Sequence, residues 1–185
     1  MFYGLSKPFR RQELVHRFQS KGDLDYRLVL KFLKGSEVNR VLPVGVTPLH
    51  RAAMAGQALT VRLLCRAGAE QNAVGPTLKA APSAPAELQE ASRTALYAAA
   101  QQGHLGVVKV LCAERAEVDK GALLTGASPL FAAAEHGHEQ VVRQLCEARA
   151  QVNSSLFDTG LIPLHAAAKN GYFEARNRPL RHVFH

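Results

Sequence analysis

The residues best suited to chemistry are three cysteines, Cys65, Cys112 and Cys146, and a turn that sets His136 and His138 on either side of Gly137 and beside Glu135. His104 follows Gly103 in a similar turn. Thiolates and imidazoles are the ligands a zinc ion selects, so a metal site is the first chemistry to weigh. The spacing argues against it, because no paired Cys-x-x-Cys and no His-x-x-x-His accompany these residues. His182 and His185 near the C-terminus could capture a metal only adventitiously. Serines and aspartates lie mostly in polar stretches with no histidine at a telling distance. A phosphate-binding glycine loop, a nucleophile elbow and a His-Glu-x-x-His helix are all missing. The expectation is a chain with no catalytic residues, no cofactor and no metal.

The elements that must position these side chains repeat. Thr47-Pro48-Leu49-His50, Thr94-Ala95-Leu96-Tyr97, Ser128-Pro129-Leu130-Phe131 and Ile162-Pro163-Leu164-His165 open four similar segments, 47, 34 and 34 residues apart. Thr or Ser can cap the free N–H groups of a helix, and Pro in its first turn loses no needed hydrogen bond. Small residues follow, Ala52-Ala53, then 98–100, 132–134 and 166–168, which favour helix and let neighbouring helices approach. A glycine then falls nine residues after each opening, at Gly56, Gly103, Gly137 and Gly171. There a short helix can end in the left-handed conformation that glycine adopts freely.

A second apolar stripe with helical spacing comes next: Val61, Leu64 and Cys65; Val107, Val108, Leu111 and Cys112; Val141, Val142, Leu145 and Cys146. Each unit closes on a polar loop, 68–72, 116–119 or 150–153, that should project as a hairpin. The cysteines thus occupy equivalent places on second helices. Helices stack about 10 Å apart, whereas a disulfide needs Cα atoms within about 7 Å. The thiols therefore read as small buried apolar groups, and their odd number suits a reducing compartment.

These units resemble ankyrin repeats. The resemblance rests on the Thr-Pro-Leu-His opening, the Gly-His turn and the Gly-Ala-x-x-Asn ending, matched most fully over 47–72 and nearly as well by the units at Thr94 and Ser128. It covers roughly 11–173. A tetratricopeptide array has a similar period but would want Trp and large aromatics, and this chain has no Trp. The resemblance implies an all-α solenoid of stacked helix-turn-helix units joined by β-hairpin-like loops, with His104 and His138 explained as turn residues.

The organisation expected is an N-terminal flank over 1–10, a degenerate capping repeat over 11–46, a repeat over 47–74 and a Pro/Ala-rich insertion over 75–93. Repeats over 94–127 and 128–161, an incomplete repeat over 162–175 and a basic tail over 176–185 complete it. In the capping repeat, 14–20 and 24–33 read as helices turning at Gly22. The insertion, carrying Pro76, Pro82 and Pro85, reads as a surface loop that could hold a short helix over 86–91. Tyr97 and Phe131 stand where the family has His, so packing must replace a hydrogen bond there. Ile162 removes the hydroxyl cap from the last opening. After Glu174, Arg176, Arg178 and Pro179 replace the apolar stripe, which reads either as a truncated longer array or as a divergent cap whose Leu180, Val183 and Phe184 would pack on a helix.

The formal charge of +8 suggests nucleic acid until it is divided along the chain. Residues 1–40 carry nine Lys or Arg against four acids, and 169–185 carry four against one, which leaves ten against ten between them. A basic module binding nucleic acid or an acidic surface through its charged ends is the alternative function, and the neutral body disfavours it. The first residues hold no apolar run or cleavage site typical of a secretory signal, and no stretch has the length of a membrane span. Arg10, Arg11 and Arg17 permit an organelle transit reading, but Glu13 interrupts it, and Leu14, Val15 and Phe18 suit a terminal repeat helix. The chain is expected to be intracellular, cytoplasmic before nuclear, and monomeric.

An ankyrin-like stack implies protein binding by a concave face of hairpin tips and first helices. The exposed first-helix ends would be Met54 with Ala55, Gln101 with Gln102, Glu135 with His136, and Lys169 with Asn170. At the tips, Leu123, Leu124, Leu156 and Phe157, with Asp158, are more apolar than solvated loops require. They would either stack between hairpins or anchor a partner.

Overall fold

The computed structural model describes residues 38–39, 41, 46–74 and 92–170. Most of the capping repeat, most of the insertion, and the segment from Gly171 onward with its truncation question lie outside the described residues.

Seven helices follow one another: α1 (Pro48–Met54), α2 (Ala58–Arg66), α3 (Ala95–Gln101), α4 (Leu105–Ala113), α5 (Pro129–Glu135), α6 (Glu139–Glu147) and α7 (Pro163–Lys169). They form three helix pairs and a fourth first helix. α1, α3, α5 and α7 stack in one layer, while α2, α4 and α6 stack in the other.

The opening residues act as read. Thr94 Oγ1 accepts the Tyr97 N–H at 3.2 Å and Ser128 Oγ accepts the Phe131 N–H at 3.1 Å. The Thr47 hydroxyl makes the same contact more loosely, at 3.5 Å. Ile162 has no oxygen to offer. At that opening His165 N–H closes back on the Ile162 carbonyl at 2.9 Å, and the Ile162 N–H points at His165 Nδ1 at 3.4 Å, a partial substitute for the missing cap.

Each first helix has only seven residues because glycine ends it. Gly56, Gly103 and Gly137 have φ of 71°, 75° and 72°, and the residues around them close in the paired pattern of a Schellman turn, as in Gly56 N–H to Ala53 and Gln57 N–H to Ala52. The second helices end in the same pattern, with Gly68 at φ 90° in the first pair. In the next two pairs the equivalent left-handed residues are Arg115 at 65° and Arg149 at 64°. That conformation crowds a side chain's Cβ, a local cost of about 1 kcal/mol each.

The main core runs the length of the stack. Leu49, Leu96 and Leu130 from first helices meet Leu64, Leu111 and Leu145 from second helices, all nearly inaccessible, with Val61, Val107, Val108, Val141 and Val142 between them. Ala53, Ala99, Ala100 and Ala133 are fully buried, where a larger side chain would force the layers apart.

A second, smaller core joins the first helices to the loops. Tyr97, Phe131 and Ala132 pack with Ala122, Ala127 and Ala166, and Leu156 and Leu161 rest on them. Packing therefore replaces the family histidine at Tyr97 and Phe131. Among the described residues no strand forms, yet the loops are hairpin-like. Ala122 N–H donates to the Ala127 carbonyl and Leu156 N–H to the Leu161 carbonyl, both at 2.9 Å.

Candidate functional site

The face shared by first helices and hairpins is built by interlocking units, and buried polar groups set their register. His50, 1% exposed, places Nε2 2.8 Å from the Arg93 carbonyl of the next unit. A carbonyl only accepts, so Nε2 carries the proton, and Nδ1 is left to accept from the Thr47 hydroxyl at 2.8 Å and the Thr47 N–H at 3.3 Å. Burial holds the His50 pKa below 6.5, which keeps the ring in this neutral form. Thr94 replaces that arrangement with a direct hydroxyl bond to the Lys120 carbonyl at 2.8 Å.

The turn histidines do a second job. His104 Nε2 donates to the Met54 carbonyl and His138 Nε2 to the Gln101 carbonyl, each at 2.9 Å, so each ring ties its unit to the end of the preceding first helix. The rings lie across Gly56 and Gly103, where a Cβ would come within 2.9 Å and 2.6 Å of them. At the last interface Asn170 Nδ2 donates instead to the Glu135 carbonyl at 2.7 Å. The loop endings add a third ladder: Asn39, Asn72 and Asp119 accept the backbone N–H of Glu70, Glu117 and Gln151 in the following unit, at 2.8, 2.8 and 2.7 Å.

These contacts decide the fate of the residues that looked reactive. His136 and His138 stack with centroids 6.1 Å apart, but His136 Nδ1 is bonded to the Ala132 carbonyl and His138 Nε2 to that of Gln101. Among the described residues no three His, Cys, Asp or Glu side chains are placed to share a metal ion. All three cysteines are free thiols, Cys65 buried and Cys112 and Cys146 half-buried. Burial pushes the Cys65 thiol up to about 11, with the nearby Glu114 adding to it, and it pushes Cys146 to about 11 as well. Such thiols stay protonated near neutrality and are poor nucleophiles.

The first-helix ends are unequal. Met54 and Gln101 are half-buried, whereas Gln102, Glu135, His136, Lys169 and Asn170 are exposed. Gln101 is also engaged, because its Oε1 accepts from Arg93 Nη1 at 3.1 Å. The Arg93 guanidinium lies 5.3 Å above the Tyr97 ring centroid. Sequence reasoning assigned Ser92 and Arg93 to the insertion and so missed them. Ser92 is buried and its carbonyl accepts the Leu123 N–H at 3.0 Å, which makes both residues part of the stack. Their position just before Thr94, equivalent to that of Ala127 before Ser128, was the available signal.

The hairpin tips divide. Leu156 turns inward onto the aromatic cluster and Leu124 is half-buried, while Leu123 is 39% and Phe157 76% exposed, with Asp158 also exposed. The Phe157 N–H donates to the Thr125 carbonyl at 3.0 Å, and its ring lies across Gly126. One ring face is thus seated on the preceding hairpin and the remainder points to solvent.

The architecture is a helical repeat solenoid whose free face is formed by first-helix ends and hairpin tips. Models of ankyrin repeats, in a form that describes three copies, match residues 15–122 and 114–177, and the chain belongs to the ankyrin-repeat family. No curated protein matches it closely enough to count as a relative. No helix among the described residues is long and apolar enough to cross a membrane.

Proposed function

We propose that this chain is a non-catalytic scaffold that binds another protein through the concave face of its stack. Members of this family are generally protein-interaction modules, and the remaining surfaces are occupied by stacking. The observation that carries the reading is Phe157. A large apolar side chain 76% exposed on a tip whose backbone is hydrogen-bonded in place is a preformed anchor, and anchors of this kind supply much of the energy of protein interfaces. Around it, Glu135, His136, Lys169 and Asn170 differ in chemistry while the residues beneath them repeat, which suits specific recognition rather than general adhesion. Three free thiols support an intracellular setting, where we place it as a monomer, in the cytoplasm before the nucleus.

The test is affinity capture from cell extract with the intact chain and its Phe157→Ala variant, followed by titration of the captured protein in rising salt. Retention by the intact chain, at least tenfold weakening by Phe157→Ala and shallow salt dependence are expected. A steep loss of binding with ionic strength that is indifferent to Phe157 would replace this reading with a basic module for nucleic acid or an acidic surface.

A further inference from the structure

The two described hairpins are near copies of each other. Ala122 N–H to Ala127 O is matched by Leu156 N–H to Leu161 O, both 2.9 Å, and Gly126 N–H to Ala122 O at 2.9 Å is matched by Gly160 N–H to Leu156 O at 3.1 Å. The Thr125 hydroxyl accepts the Ala127 N–H at 3.2 Å, and the Thr159 hydroxyl accepts the Leu161 N–H at 3.4 Å. Gly126 and Gly160 share the left-handed conformation, with φ of 74° and 65°.

What differs is occupancy. On the first hairpin, Phe157 places its N–H on the Thr125 carbonyl and its ring so close over Gly126 that a Cβ there would lie 2.6 Å from it. On the second, no backbone N–H among the described residues donates to the Thr159 carbonyl, and a Cβ built on Gly160 would meet nothing within 4 Å. Thr159 and Gly160 are both exposed. The same receptor therefore occurs twice, filled once and open once, and the filled copy defines what the open one accepts.

We propose that Thr159 and Gly160 form a docking position for an extended segment of a separate partner protein, one residue of which presents both a backbone N–H to the Thr159 carbonyl and an aromatic ring to the bare Gly160 surface. A left-handed glycine is what permits the close approach, since any Cβ would stand where the ring must lie. Addition of a strand-like segment to an open hydrogen-bonding edge is a general mode of peptide recognition, in which backbone bonds provide affinity and side-chain seats provide selectivity. A second copy of this chain is the poorer occupant, because its own Phe157 N–H is already committed to Thr125. The proposal rests on reading the chain as a protein-binding module and extends that reading to the edge of the hairpin ladder.

The probe is a synthetic peptide copying residues 154–162, the segment that fills the equivalent position, titrated into the full-length chain labelled with nitrogen-15. Weak, saturable amide shifts centred on Thr159 and Gly160 are expected, together with roughly tenfold weaker binding when the peptide's own phenylalanine is replaced by alanine. Gly160→Asn should abolish the shifts. Asn tolerates the left-handed conformation and its Cβ enters open space, so the variant folds while the seat is blocked. No saturation up to roughly 5 mM peptide, binding that survives Gly160→Asn, or shifts that instead report displacement of Phe157 from Gly126 would each overturn the proposal. A failed capture experiment with Phe157→Ala leaves this test untouched, because the peptide reads Thr159 and Gly160 directly.

Discussion

Replacing His50 with Phe puts into the first unit the residue type that the third already uses at Phe131. The cost follows from the bonds that disappear. Two short ones are lost, Nε2 to the Arg93 carbonyl and Nδ1 to the Thr47 hydroxyl, both at 2.8 Å, and a longer one to the Thr47 N–H at 3.3 Å. At a net value of about 1 kcal/mol for each short bond, and somewhat more because partners that stay buried go unsatisfied, the expected loss is about 2–3 kcal/mol near pH 8. The loss should depend on pH in a definite direction. Burial holds the His50 pKa below 6.5 in the folded chain, and the unfolded chain titrates near 6.5. Between those values the unfolded state binds a proton that the folded state refuses. The stability His50 contributes is therefore complete above about pH 6.5 and is lost as pH falls toward the folded pKa, at up to about 1.4 kcal/mol per pH unit. A phenylalanine side chain does not titrate and has no such slope, so the gap between the native chain and His50→Phe should narrow as the solution is acidified. Urea denaturation at pH 8, 7, 6 and 5, followed by circular dichroism, measures it, with the first pair observed through its own probe in case the array does not unfold as one unit. A gap that stays constant across this range, or one below about 0.5 kcal/mol at pH 8, would refute the assigned tautomer and its bonds.

Gly103→Ala should cost about 2–4 kcal/mol, since its Cβ would meet the His138 ring at 2.6 Å on a backbone at φ 75°; thermal denaturation checks this, and the companion His138→Ala should recover part of the loss by removing the obstacle. Arg149→Gly should stabilise the chain by about 0.5–1 kcal/mol, because a left-handed residue at φ 64° loses its crowded Cβ, and no gain in the urea midpoint would show that the arginine side chain offsets the strain. Cys65 should be alkylated by iodoacetamide at pH 7.5 at least tenfold more slowly than a free thiol, consistent with a pKa of about 11, and the rate should rise steeply with pH until the fold is lost; fast labelling in the native state would contradict its burial.

Much of the fold was legible because ankyrin-type units write their structure locally. A hydroxyl before Pro-Leu caps a helix, glycine nine residues on ends it, and an apolar stripe returns on a second helix, so Thr94, Gly103 and the Val107 to Cys112 face could each be read without neighbours. The loss of the cap at Ile162 was readable for the same reason. Arg115 and Arg149 were not readable as left-handed residues. Nothing local asks an arginine to take φ near 65°; the closing bonds of α4 and α6, such as Ala116 N–H to Leu111 and Ala150 N–H to Leu145, hold it there.

For the site, residue types and register came from the sequence, and accessibility came from tertiary structure. Leu156 and Phe157 are adjacent apolar residues at one tip, alike to any composition rule, yet one is packed on the Tyr97 and Phe131 cluster and the other is 76% exposed. The division arises because neighbouring side chains in an extended segment point to opposite sides, and only the stack of hairpins determines which side is covered. His104 and His138 show the complementary case. The dipeptide with glycine announces a turn, but the bond from each ring to the carbonyl of Met54 or Gln101 crosses 50 and 37 residues of chain and exists only once the units have stacked. The sequence by itself determined the repeat, its period and its caps, because those depend on residues a few positions apart. Which polar groups lock the units together, and which apolar side chain is left for a partner, depended on distances that only the assembled stack defines.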